Sequence, residues 1–113
     1  GELAHCIRES LIYLTQYGVV CAMHQEGEGC VSSRNVQAAY DFFEDCLEAA
    51  LPSLSALMVR VECGECFSIR LMMEEVAGLP NAEKYGTLGK LTIDDADGVL
   101  CATLSLDRGG EHA

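Results

Sequence analysis

The spacing of apolar residues changes along the chain from a helical to a strand-like period, and this change constrains the fold more than any other feature. In the segment Glu2–Tyr17 apolar residues recur every three or four positions, as one face of an amphipathic helix requires. Gly18 is a suitable C-cap for this helix. The short apolar run Val19–Met23 is typical of a strand. The chain therefore begins with a helix followed by a strand.

A second helix is predicted between two serines and a proline. Ser32 and Ser33 are natural N-caps, and Pro52 ends the pattern. The predicted apolar face consists of Val36, Ala39, Tyr40, Phe43, Leu47 and Ala50. The opposite face is acidic. We expect helices and sheet to share a core that contains Leu11, Tyr40, Phe43, Leu47, Val59 and Leu71.

Two hairpins are predicted in the second half of the chain. The β-rich segments Leu57–Glu62 and Phe67–Glu74 are separated by a short turn, and Lys90–Asp94 and Val99–Leu106 are joined by the Asp-rich turn 95–98. The intervening stretch 75–89 is predicted to be irregular. The simplest architecture is an α+β two-layer sandwich, with two helices on one face of a mixed, mainly antiparallel sheet of about five strands. Residues 1–113 form a single domain in this interpretation.

The charge balance excludes several partners. Seven lysines and arginines against eighteen aspartates and glutamates give a net charge of −11, which repels nucleic acids and anionic membranes. No apolar run approaches the roughly 20 residues that cross a bilayer. The cysteine count, seven, is odd, and most of these residues lie within apolar patterns, so we expect reduced thiols in a cytoplasmic protein.

The second helix carries Phe43, Glu44 and two alanines directly before an apolar strand. This arrangement and the order of elements resemble the GHKL ATP-binding domain of bacterial sensor histidine kinases over nearly the whole chain. The family has a Glu on this helix, an Asn four residues later that helps to hold magnesium, and commonly a His after four more. Glu44 matches the Glu, but Glu48 stands in the Asn position and Pro52 in the His position.

The other two family motifs are also altered. Glu74 stands where the family has the adenine-recognising Asp, and Val76 replaces the first glycine that follows it. Little of the glycine-rich phosphate loop remains before the strand at Lys90, so we expect a Bergerat-like fold without the ATP-lid helix. The resemblance implies a vestigial nucleotide site formed by Glu44, Glu48, Glu74, Gly78, Gly86 and Gly89.

The altered motifs imply a degenerate histidine kinase-like domain of a bacterial two-component signalling protein. We expect it to bind no ATP, metal or cofactor and to contain no catalytic residue. Its partners would be the dimerisation helices of its parent chain or a response regulator, and a homodimer is left open. Because the chain begins at Gly1, we also expect it to be the C-terminal fragment of a longer protein.

Two alternatives remain open at the level of sequence. The first is a functional Mg-ATP-binding kinase domain that uses the residues named above. The second is a small metal or redox module built on Cys63 and Cys66, whose spacing is that of a zinc knuckle or a redox pair. The carboxylates Asp41, Glu44, Asp45 and Glu48 also share one helical face, although such faces are more often simply solvated.

Overall fold

The structure, a computed structural model, describes residues 2–27 and 31–107. These residues form two α-helices, a five-stranded sheet and one 3-10 helix. The helices are α1 (Glu2–Thr15) and α2 (Ser33–Ala50), and the 3-10 helix spans Pro80–Thr87. The strands are β1 (Val20–Glu26), β2 (Ala56–Cys63), β3 (Cys66–Glu74), β4 (Lys90–Ala96) and β5 (Val99–Asp107).

The sheet is mixed, as the sequence predicts. Its strand order is β1-β2-β3-β5-β4. Strands β1 and β2 are parallel, because α2 crosses over between them, and the other three pairings are antiparallel. Helix α1 packs on β1, and α2 lies over β3 and β5. The predicted two-layer α+β fold is confirmed.

Helix α1 ends in a Schellman motif. Gly18 has φ of +88°, which a glycine adopts without steric cost, and its N–H donates to the Thr15 carbonyl at 3.2 Å. The Val19 N–H donates to the Leu14 carbonyl at 3.3 Å. The predicted cap is confirmed, although the regular helix ends at Thr15, two residues earlier than predicted, because the last turn belongs to this motif.

Helix α2 begins where the sequence predicts, but its buried face is rotated. The Ser32 hydroxyl accepts a hydrogen bond from the Asn35 N–H at 3.2 Å, which is an N-cap contact. The apolar residues of this helix that are buried are Ala39, Phe42, Phe43, Cys46 and Ala50. Tyr40 and Leu47 are only half-buried, because they lie at the margin next to α1. The other predicted core residues, Leu11, Phe43, Val59 and Leu71, are buried.

Both predicted hairpins are present, with slightly longer strands. Val59 pairs with Leu71 across β2 and β3. The β4–β5 turn consists of Asp97 and Gly98, whose φ values of +54° and +80° are those of the tight turns that match the twist of a hairpin. Alternate residues of β2, β3 and β5 are buried under the helices, so one face of the sheet forms the core.

The stretch predicted to be irregular contains the 3-10 helix. Pro80 occupies its first turn, where a missing N–H costs nothing. Ala82 and Tyr85 are both buried, and their spacing of three residues places them on one side of a helix with three residues per turn. Across the two described ranges, no helix is long and apolar enough to cross a membrane.

Candidate functional site

Glu44 lies on the helical layer of the sandwich. Its side chain is exposed and lines a groove between α1 and α2, together with Tyr13, Tyr40 and Leu51. Burial and, to a lesser extent, the negative charge of Glu44 raise the pKa of Tyr40 above its usual range. The groove is therefore a mixed apolar and acidic surface, with no cation among the residues that line it.

Glu74 lies on the other side of the sheet. It is the last residue of β3, and it follows Met73, which is buried under the helices. Because successive side chains of a strand point to opposite faces, Glu74 projects from the uncovered face, where it lines a groove with Met58 and Met72. The carboxylates of Glu44 and Glu74 are thus separated by the sheet, and the structure does not bring them together.

The three glycines of the predicted site have different structural roles. A Cβ at Gly89 would lie 2.3 Å from the Ser105 carbonyl oxygen and 2.8 Å from a methyl of Leu106, so packing against β5 requires glycine there. A Cβ at Gly78 or Gly86 would meet nothing within 4 Å, and neither residue has a positive φ. Local packing explains Gly89 without any ligand, whereas it does not explain Gly78 or Gly86.

Asp45 connects α2 to the 3-10 helix. The Tyr85 hydroxyl donates to Asp45 Oδ2 at 2.5 Å, and Lys84 Nζ lies 3.0 Å from the same oxygen. The Tyr85 ring packs edge-on against Phe42 with 5.3 Å between ring centroids. We call Asp45, Lys84 and Tyr85 the Asp45 cluster. It holds the segment that contains Gly86 against the acidic face of α2.

The Asp45 cluster perturbs the titration of its members. The hydrogen bond from Tyr85, reinforced by Lys84, lowers the pKa of Asp45 below its usual value. Burial and the neighbouring Asp45 carboxylate raise the pKa of Tyr85 strongly. Both shifts favour the arrangement seen, a neutral phenol that donates to an ionised carboxylate. Such a pair is a stable structural contact at neutral pH.

The remaining carboxylates on α2, Asp41 and Glu48, are exposed. Asp41 accepts a hydrogen bond from the Gln37 side chain at 2.9 Å, and Glu48 is exposed. Among residues 2–27 and 31–107, no group of three or more His, Cys, Asp or Glu side chains is arranged to hold a metal ion. Glu48 remains a solvated carboxylate in the position where the family resemblance places a neutral amide.

Comparison of this architecture with solved structures finds a consistent match. Three nucleotide-free structures of the catalytic domain of histidine kinase ThkA align with TM-scores of 0.58, 0.60 and 0.61 at sequence identities of 9%, 10% and 9%. Each alignment covers 95% of this chain and 88%, 88% and 90% of the ThkA chains. The chain has the histidine kinase catalytic-domain fold. No protein-family sequence model and no curated protein sequence matches it.

The histidine kinase fold brings only some of the motif positions near one another. Glu44 and Glu48 are one helical turn apart on α2. Gly86 is held near the same helix through its neighbour Tyr85. Glu74 is on the opposite face of the sheet, as described above. The predicted vestigial nucleotide site is therefore a dispersed set of residues in this structure, and the expectation that it binds no ATP stays a prediction.

Cys63 and Cys66 flank the β2–β3 turn but belong to opposite faces of the sheet. Cys63 is half-buried and lines a cavity with Val61 and Phe67 on the helical side. Cys66 is exposed, and it directly precedes the buried Phe67, so its side chain projects from the uncovered face. Both are free thiols. This orientation does not favour joint metal coordination or a disulfide between them.

Local sequence patterns do not predict the Asp45 cluster. They place Asp45 only on an acidic helix face, and the residues on the other side of the contact lie in the stretch predicted to be irregular. Pro80 followed by Ala82 and Tyr85 at a spacing of three was a signal for a short 3-10 helix. The pairing of Tyr85 with a carboxylate forty positions away had no local signal.

Proposed function

We propose that this chain is a degenerate histidine kinase-type domain of a bacterial two-component signalling protein. In this proposal it does not bind ATP and acts through contacts with the dimerisation helices of its parent chain or with a response regulator. The main support is that Glu44 and Glu74, which stand at two motif positions of the family, lie on opposite sides of the sheet. This placement does not favour a nucleotide that contacts both carboxylates at once.

The charges on α2 support the same proposal. Glu48 replaces a neutral amide, and a carboxylate about 4 Å from a phosphate charge costs on the order of 4 kcal/mol at an effective dielectric constant of 20. That cost corresponds to a loss of affinity of roughly a thousandfold. A bound magnesium ion would offset part of it. The nearby cation Lys84 is paired with Asp45, so a phosphate would have to compete with that carboxylate for it.

The loop that would receive phosphates is also altered. In the family, amide groups of a glycine-rich loop at the start of a helix contact the phosphates. Here Gly89 packs directly on Ser105, and Tyr85 anchors the preceding residues to Asp45. The segment therefore packs against other parts of the protein. Releasing it would require the loss of the Asp45 cluster.

Thermal unfolding with and without millimolar Mg-ATP tests the nucleotide part of this proposal. A ligand that binds only the folded state raises the midpoint by mass action, so we expect no saturable rise. A histidine kinase catalytic domain with all three motifs intact is the positive control. A saturable rise of several degrees, abolished by Glu44→Ala or Glu74→Ala but not by the remote exposed variant Glu65→Ala, would contradict the proposal.

The contact part is tested separately. Calorimetric titration of the domain with the receiver domain of a response regulator from the same signalling system should give a measurable affinity that does not change when ATP is added. An affinity that requires Mg-ATP would instead support the alternative of a functional kinase domain.

A further inference from the structure

One face of the sheet is not covered by any described element, and it carries an apolar stripe. Val20 is 72% exposed and Met58 is 44% exposed, although both are large apolar residues. They line a groove on this face with Met72 and Val99. Contiguous exposed apolar surface of this kind commonly marks a site of protein association.

Two unpaired charges of opposite sign flank the stripe on the central strand β3. Arg70 and Glu74 project from the uncovered face on either side of Met72, two residues away in each direction. Arg70 Nε donates to Thr103 Oγ1 at 3.1 Å, which leaves its terminal nitrogens without a carboxylate partner among the described residues. Glu74 likewise has no ion pair in the described part of the chain.

Arg70 and Glu74 do not form an ion pair with each other within one chain. Four residues of a strand span roughly 13 Å, and Met72 lies between the two side chains on the same face of the sheet. The order of side chains on this face of β3 is therefore cation, apolar residue, anion. Such an order is complementary to itself when it is read in the opposite direction.

We propose that the uncovered face binds a second copy of this chain, about a twofold axis that runs across the strands above Met72. This operation places each Arg70 against Glu74 of the other copy and forms two equivalent ion pairs. Met58 and Met72 lie near the axis and face their own counterparts. The arrangement is an isologous sheet-on-sheet contact, with the two sheets about 10 Å apart.

The neighbouring strand is compatible with this geometry. On β2, Arg60 lies at the level of Arg70 and would face Ala56 of the other copy. Arg60 is already paired with Glu26, and with Glu62 at 3.5 Å, so it brings no unpaired charge into the contact. Asp94, on edge strand β4, lies at the level of the axis and would face Asp94 of the other copy. The contact is therefore centred on β1, β2, β3 and β5, and sheet twist separates β4 from its counterpart.

The contact is small, so the dimer should be weak. Four strands at about 4.8 Å and about six residues at about 3.4 Å give roughly 400 Å² of flat area per copy. The two copies together contribute roughly 800 Å², which is below the roughly 1,000 Å² expected of a stable interface and fits a weak contact. The net charge of −11 on each copy also opposes association. At physiological salt, screening limits the repulsion between the net charges to a range of about 8 Å. The proposed ion pairs between Arg70 and Glu74 lie within that range, because their charges are in contact.

Sedimentation equilibrium between low and high micromolar concentration in 0.15 M salt tests the proposal. We expect a reversible monomer–dimer equilibrium for the unmodified chain. Arg70→Glu and Glu74→Arg should each raise the dissociation constant about tenfold or more, because each replaces two opposite-charge contacts by like-charge contacts. The double variant Arg70→Glu/Glu74→Arg should restore the original value to within about threefold. Arg34 is an exposed residue of α2, on the other side of the sheet, so Arg34→Glu should leave the dissociation constant unchanged.

Three results would each overturn the proposal. They are a chain that stays monomeric at the highest concentration, a dimer that is insensitive to Arg70→Glu, and a double charge swap that fails to restore association. Circular dichroism of every variant verifies folding. If one single variant unfolds, the other single variant and the double variant Arg70→Glu/Glu74→Arg still test the proposal. Sedimentation equilibrium is measured without nucleotide. The dimer proposal and the proposal that the chain does not bind ATP can therefore be refuted independently of each other.

Discussion

Removal of a single hydroxyl group, by Tyr85→Phe, measures how firmly the 3-10 helix is held to α2. The variant keeps the aromatic ring, and therefore the edge-on contact with Phe42, but it removes the hydrogen bond to Asp45. Tyr85 is only 4% exposed, so water does not easily replace the lost partner. The effect should consequently report on the hydrogen bond more than on packing.

The expected magnitude follows from the charge and exposure of the acceptor. Hydrogen bonds to ionised groups contribute about 1.5–3 kcal/mol to stability. The Asp45 side chain is 30% exposed, which weakens the interaction through solvent screening, so we expect a loss of about 1–2 kcal/mol. For a domain near this size, that loss lowers the melting temperature by roughly 4–8 °C.

Urea unfolding followed by far-ultraviolet circular dichroism provides the measurement. The midpoint should fall while the denaturant dependence of the unfolding free energy stays constant. Lys84→Ala is the matched control, because it removes an exposed ion pair to the same oxygen and should cost less than about 1 kcal/mol. A double-mutant cycle with Asp45→Ala isolates the pair. A Tyr85→Phe effect below about 0.3 kcal/mol, or a coupling energy near zero, would refute this reasoning.

Three further predictions concern the core, the backbone and pH. Phe43→Ala should lower the free energy of unfolding by about 3–5 kcal/mol, because the ring is fully buried. Leu47→Ala should lower it by less than about 2 kcal/mol, because Leu47 is only half-buried. Equal losses for the two variants in urea unfolding would contradict the rotated buried face of α2. Gly89→Ala should lower the melting temperature by several degrees, whereas Gly86→Ala should leave it unchanged within about 2 °C or raise it. Because the pKa of Asp45 is lowered in the folded state, its stabilising contribution is present above its unfolded pKa of about 4 and is lost as pH falls through the folded value. The destabilisation caused by the phenylalanine variant should therefore shrink below about pH 4, and an effect that stayed constant down to pH 2 would argue against the shift.

The sequence determined the α-helices, the strands and their order, because the relevant signals act over a few residues. Helix caps depend on hydrogen bonds within one turn, and this is why Gly18 and Ser32 were identified correctly. Alternation of apolar residues located the strands, and short turns such as Asp97-Gly98 fixed which strands pair as hairpins. The two-layer fold follows from burying these faces together.

The tertiary structure alone decided which side chains meet. Helix α2 is rotated so that Phe42 is buried and Leu47 lies at the edge of the core. This rotation depends on how the helix packs against α1 and the sheet. The contact between Tyr85 and Asp45 joins residues forty positions apart, and no local propensity encodes it.

The face of the sheet on which each strand-end residue lies was likewise decided by the assembled sheet. The sequence placed Glu44 and Glu74 at two motif positions of one expected site. In the structure Glu74 follows the buried Met73 by a single residue, and one step along a strand reverses the direction of a side chain. Motif spacing is a local property that the sequence by itself determined, whereas convergence on a common pocket depends on strand register and helix seating, which exist only after long-range packing has formed.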